Sequence, residues 1–328
     1  MGRFTRQNEY KMGYDEHFLG DLVAPPKLSA KLKHDTVSTG AEQPYLLNHT
    51  GYSVALSASR RLAWFSSANL DAAQHQGIRR KNLQSQWKIE PEITREAVVT
   101  QPWYQASNKL LQRGHLTPAD AMEWGADEPE AIKRANSTFF YSNAAPQMRR
   151  LNCAEWRVLE AYIGAEAAKG GHSRLSVHTG PVLAPDDPVY LPQPERDATL
   201  QIPRLFWKVV YYHNPQNVLC RVGFLMSQEH LLRESQLVSW PAAPRRAATA
   251  GGPFAELGDQ KTYQVKVALI GQLTGLKFTK AKEVYGDKRP RELVLMEIDL
   301  RERFVPRFQQ GVALKDKGSL QYMIGLEL

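Results

Sequence analysis

The chain has 328 residues, with 42 Lys plus Arg against 34 Asp plus Glu and a formal net charge of +8. That length can bury one large core or two modest ones, and the positive excess favours an anionic partner without choosing one. Two cysteines, Cys153 and Cys220, exclude a disulfide framework and a cysteine-rich zinc site, and no apolar run reaches transmembrane length.

The residues up to Asn48 are punctuated by Pro25, Pro26 and Pro44 and predict an irregular arm. Its start carries Arg3, Arg6, Glu9, Lys11, Asp15 and Glu16 without an apolar stretch. No secretory signal is therefore expected, and a cytoplasmic location is the default, with export by another route or prior signal removal as the alternatives. Tyr52 to Ser57 and Arg61 to Ser67 alternate apolar and polar side chains around Ala58 to Arg60, the pattern of a β-hairpin. Gln74 to Lys88 is basic, with Arg79, Arg80, Lys81 and Lys88 around Trp87. Each cation alone reads as part of a solvated loop, and the group reads as the lining of an electrostatic groove. Glu90 to Asn108 predicts a short helix and a loop.

Two motifs follow. In QRGHLTPAD, Gln112 to Asp120, Gly114 frees the backbone beside His115 and Pro118 stops a regular ladder. His115 is thereby expected at a strand end facing a cleft, where imidazole takes a proton near neutral pH. Met122 to Pro129 is an acidic turn before a helix over Glu130 to Asn136. In SNAAPQMRRLNCAEWRVLE, Ser142 to Glu160, Asn143 closes a strand over Thr138 to Ser142 and Pro146 breaks the chain. The spacing of Trp156, Leu159 and Ile163 then predicts a helix from near Leu151 or Asn152 to about Ala168. Asn152 lies in its first turn, and Glu160 is rotated from it by about eighty degrees. One face can carry both oxygens, a set that suits Mg²⁺ with water in the remaining positions.

Farther on, Ser173 to Val182, Leu205 to Tyr212 and Val218 to Met226 predict strands of a largely antiparallel sheet. Pro185, Pro188, Pro192 and Pro194 mark a loop, Ser227 to Glu234 a helical turn, and Trp240 to Pro253 a flexible loop. Tyr263 to Ile270 and Leu273 to Phe278 predict a last strand and helix. Beyond Lys280 the chain is charged and then apolar at Leu293 to Leu300. Packing on the domain, edge pairing, homodimerisation and docking of a regulatory partner are all open to that tail.

The spacing RGHL, SNxAPQ and LNxxxWxxLE resembles the DNA/RNA non-specific endonucleases with the ββα-metal (His-Me finger) motif, the family that includes mitochondrial endonuclease G. YSVALSASRRLAWFSSANLD, HTGPVL, IPRLFWKVVYY and LTGLKF resemble segments of its bacterial branch, so the likeness runs from about Tyr14 to Phe278. The resemblance implies an α+β fold with a central, largely antiparallel sheet flanked by helices: an arm over residues 1–50, a nuclease domain over 51–280 and an extension over 281–328.

It further implies His115 as general base, Asn152 as direct ligand of Mg²⁺ or Mn²⁺, and Arg113, Asn143 and Glu160 as active-site residues. Arg79 or Arg80 would stand near the scissile phosphate. The implied reaction is metal-dependent, sequence-non-specific cleavage of DNA and RNA through contacts to the phosphate backbone, leaving 5′-phosphate and 3′-hydroxyl ends. Gln112 departs from the aspartate usual in DRGH.

Each residue has an ordinary role as well. Asn152 can cap its helix, Asn143 can hold its loop, Glu160 can lie on a solvated helix face, and Cys153 beside the ligand is incidental. Their convergence gives the active-site set its weight. A degenerate nucleic-acid-binding module, marked by Gln112, and a nuclease effector activated by a partner on the C-terminal tail are the competing classes.

Overall fold

The computed structural model describes residues 12–39, 45–153, 159, 173–195, 198–241, 262–287, 289–299, 314–316 and 319–324. In chain order the elements are α1 (Ala30–His34), β1 (Leu47–His49), β2 (Tyr52–Leu56), β3 (Ala63–Asp71), α2 (Gln101–Gln105), β4 (Leu111–His115), α3 (Glu128–Asn136), β5 (Ala144–Met148) and α4 (Arg149–Cys153). There follow β6 (Arg174–Val182), β7 (Val189–Tyr190), β8 (Leu205–His213), β9 (Leu219–Ser227), a helix over Glu229–Ser235, β10 (Val238–Ser239), β11 (Thr262–Val265) and a helix over Val267–Thr274. The chain then gives β12 (Lys282–Glu283), β13 (Arg291–Asp299), β14 (Leu314–Asp316) and β15 (Ser319–Ile324).

An eleven-stranded sheet in the order β1-β2-β3-β6-β8-β9-β11-β13-β15-β14, with β12 beside β9, makes the fold α+β. Every pairing along that path is antiparallel, and β12 alone runs parallel to its neighbour. The sequence builds it through period-2 patterning with both faces covered. Phe206 and Met226, cross-strand partners on β8 and β9, pack on one face with Leu111, Leu116, Met148 and Leu151. Trp207, Val209, Tyr211 and Leu225 pack on the other face with Val23, Leu28, Val267 and Ile270. The first face is the one that supports β4, β5 and α4.

Several boundaries differ from the sequence expectations for physical reasons. Thr138 to Ser142 is not a strand. Tyr141–Asn143 forms a 3-10 turn, and the strand is β5, with Pro146 inside it. In the β4–β5 ribbon Arg149 N donates to Leu110 O and Leu116 N donates to Asn143 O. By alternation, Pro146, opposite Arg113, occupies a position whose N–H would point out of the ribbon, so no ladder bond is lost.

Helix α4 already begins at Arg149, and of its continuation only Leu159 lies among the described residues. Helix α3 starts at Glu128, capped by Asp127 with Pro129 in its first turn. The apolar run VALI, expected in a strand, opens a helix after β11, and Val267 N donates to Glu283 Oε1 at 2.7 Å. A short apolar run does not choose between strand and buried helix by periodicity. The expected loop at Trp240 to Pro253 lies outside the described residues from 242 onward, whereas β13 to β15 continue the sheet beyond β11.

Gly180 on β6 is crowded by its neighbouring strands β3 and β8. A Cβ there would lie 2.6 Å from Trp64 O and 2.9 Å from the Trp207 ring. Gly180→Ala is expected to cost about 1–3 kcal/mol through overpacking, read as a lower urea midpoint at unchanged slope.

Candidate active site

The β4–β5 ribbon pairs Gln112 with Gln147, Gly114 with Ala145 and His115 with Ala144. Gly114 keeps ordinary strand geometry. What requires glycine is the Gln147 side chain, which crosses it so closely that any Cβ would collide with the amide. Immediately after His115 the chain is fastened by Asn143, which is fully buried. Its Oδ1 accepts from Thr117 N at 2.9 Å, and its Nδ2 donates to Thr117 O at 2.8 Å and to Thr138 O at 3.0 Å. The side-chain amide is thus spent on backbone, and Asn143 acts by holding the loop. Its neighbour Ser142 donates to the buried Glu90 carboxylate, which also lies 3.3 Å from His49 Nε2.

His115 ends β4 as expected, but what faces it is aromatic. The Trp87 ring lies 4.6 Å from the imidazole, and Phe139 meets it edge-on at 5.0 Å. The Nε2 atom is buried without a hydrogen-bond partner among the described residues. Burial, then the cations Arg80 and Arg113, push the His115 pKa down to about 3. At neutral pH the imidazole is therefore uncharged and able to accept a proton.

Arg113 is held in place by Gln101 Oε1, which accepts from its NH1 at 2.5 Å, and its guanidinium lies 5.3 Å from the Trp87 ring centre. Arg79, Arg80 and Lys81 are exposed on and beside the turn Arg80–Asn82. Of these three cations, Arg80 is the one whose charge bears on the His115 pKa. The turn is anchored where Ile78 N donates to Glu123 Oε2 at 2.9 Å, and burial followed by the nearby Asp120 pushes the Glu123 carboxyl up to about 7.

Asn152, on α4, donates from Nδ2 to Gln112 Oε1 at 2.8 Å. The amide oxygen Oδ1 accordingly occupies the opposite end of the group. Among the described residues no group of three or more His, Cys, Asp or Glu could hold a metal. The donor that Asn152 offers is a neutral amide oxygen. That fits a hard cation such as Mg²⁺, which keeps most of its waters, and does not fit structural zinc. Glu160 lies outside the described residues.

Strand β4 therefore carries both halves of the expected set: Arg113 and His115 under Trp87, and Gln112 against Asn152. The residues that sequence reasoning missed are the holders: Gln101 for Arg113, Gln112 for Asn152, Trp87 for His115 and Glu123 for the arginine turn. Trp87 stood out only as an aromatic among cations and Gln112 only as a departure from DRGH, and nothing local marked Gln101 or Glu123. Among other histidines, His178 is buried with Nδ1 2.8 Å from Ser67 Oγ, and His213 meets Asp21 at 2.8 Å. His172 lies outside the described residues. Cys220 is a buried free thiol.

A strand ribbon ending in histidine and running into a helix that bears asparagine is a ββα unit of the nuclease type. The model of the DNA/RNA non-specific endonucleases matches residues 31–284, and the chain belongs to that family. A curated relative, uncharacterized protein y4fB of Sinorhizobium fredii, is 28% identical over 278 residues, covering 81% of this chain. The chain spans 38% of that relative's length. Among solved structures, one chain from the EndoG/EndoGI complex, a study of EndoG inhibition, aligns over 71% of this chain and 85% of its own, at 20% identity and a TM-score of 0.48.

The pocket makes a pH-dependent prediction. His115 should stay neutral in wild type until the pH falls toward about 3. Trp87→Ala lets water reach the ring, so its midpoint should rise toward the ordinary value of about 6.5, observed by NMR titration of the His115 ring proton. An unmoved midpoint would contradict burial by Trp87 as the cause.

Proposed function

We propose that this chain is a divalent-cation-dependent endonuclease that hydrolyses phosphodiester bonds of DNA and RNA without sequence preference, leaving 5′-phosphate and 3′-hydroxyl ends. The observation that carries the reading is His115 at the end of the strand whose Gln112 holds Asn152, inside the segment matched by the family.

His115 accepts the proton of the attacking water, for which an uncharged imidazole is required. Arg113, oriented by Gln101, and Arg80 bear on the phosphate and stabilise the charge it gains during in-line attack. The same two cations hold down the basicity of His115 in the free protein. A phosphate bound between them cancels part of that field, so the base strengthens when substrate arrives. A hard divalent cation, Mg²⁺ or Mn²⁺, held through Asn152 would supply Lewis-acid stabilisation of the developing charge. Glu160, from the family pattern, is assigned the positioning of a water.

Contacts made to phosphate rather than to base edges account for low sequence preference, and tolerance of the 2′-hydroxyl lets both nucleic acids serve.

The test is cleavage of supercoiled plasmid and of a structured RNA by purified protein with Mg²⁺, Mn²⁺ or EDTA. Both substrates should be cut only with metal, and His115→Ala should lose about two to four powers of ten in rate. If wild type and His115→Ala bind DNA equally and neither cuts, the isolated chain is a binding module or awaits an activating partner.

A further inference from the structure

Gln112 stands where the family usually has aspartate, and its Oε1 accepts from Asn152 Nδ2 at 2.8 Å. The fold brings both residues to the contact. Gln112 is carried by β4, opposite Gln147 in the β4–β5 register. The rotation of α4 is set by Leu151, which is buried in the core beside Leu111 and Met148. An amide has a donor end and an acceptor end, so engaging Nδ2 with Gln112 turns Oδ1 to the opposite side. We propose that Gln112 is a positioning residue that holds the oxygen of Asn152 toward the divalent cation, a role that rests on the cation assigned to Asn152 above.

The neutral side chain also has a consequence that a carboxylate would not. Two facing amides satisfy one another in two ways, because both can turn so that Gln112 Nε2 donates to Asn152 Oδ1. In that second arrangement the oxygen is engaged by Gln112 and withdrawn from the cation. A cation must select the first arrangement, and its apparent affinity falls by the fraction of protein in the second. A carboxylate at position 112 only accepts, so it permits one arrangement and adds a negative charge near the cation. Glutamine thus keeps Asn152 oriented while leaving cation loading weaker than a carboxylate would make it.

The experiment measures Mn²⁺ binding to the full chain without nucleic acid, by calorimetry and by the Mn²⁺ electron paramagnetic resonance signal, for wild type, Gln112→Leu, Gln112→Glu and Asn152→Ala. Thermal melting and DNA binding in EDTA are followed on the same samples. Gln112→Leu should weaken Mn²⁺ binding about tenfold or more, the scale of losing a group that orients a metal ligand. Gln112→Glu should bind at least as tightly as wild type, and Asn152→Ala should lose the site.

Unchanged binding in Gln112→Leu with loss in Asn152→Ala overturns the role of Gln112 and leaves the cation assignment standing. Wild-type affinity in Asn152→Ala overturns both. If Gln112→Leu melts early, Gln112→Glu decides: binding at least as tight as wild type supports the proposal, and weaker binding overturns it.

Discussion

The candidate site depends on one buried side chain, Asn143. Its amide closes hydrogen bonds to both backbone groups of Thr117 and to Thr138 O, and its own carbonyl receives Leu116 N. The segment leaving His115 is therefore stitched to the turn that starts β5. Each of these polar groups, left unpaired in the interior, would cost about 1–3 kcal/mol, so loop and turn are ordered together. Ser66 Oγ, 2.7 Å from Thr117 Oγ1, ties the same loop to β3 of the main sheet. Rigidity of the scaffold is in this way passed to the strand end that carries the imidazole.

Electrostatics sets the resting state of that imidazole. Trp87 and Phe139 remove solvent from the ring, and Arg80 and Arg113 add positive charge around it. Both effects disfavour the protonated form. The arrangement keeps His115 in its accepting form and makes its strength depend on what neutralises the arginines. An anionic substrate is the natural agent, which links the basic character of the chain, +8 overall, to the chemistry of one residue rather than to attraction alone.

Much of this was legible in the sequence. The strands β6, β8 and β9 lie close to where their apolar runs put them, as a sheet covered on both faces demands, and the hairpin of β2 and β3 follows its pattern. His115 falls at a strand end and Asn152 on the helix after the ribbon, where motif spacing placed them. What failed were local rules overridden by context. Pro146 sits inside a strand because the ribbon has an outward-facing position for it, and Val267 to Ile270 form a helix because their apolar run carries no period of its own. Gln101 and Glu123 were not legible, and Gln112 and Trp87 were visible as residues but not as holders, since each acts on a partner brought to it by the fold. Gln112 and Asn152 are 40 positions apart, and only the packing of α4 beside β4 joins them.

The central claim is that His115 and Asn152 serve a single phosphate. The most direct measurement is the anomalous scattering of Mn²⁺ in crystals of His115→Ala bound to a short uncleaved duplex. A Mn²⁺ peak is expected at Asn152 Oδ1, with a backbone phosphate in contact with Arg113. A Mn²⁺ peak elsewhere, or a phosphate held by Arg113 with no cation at Asn152, would contradict the claim.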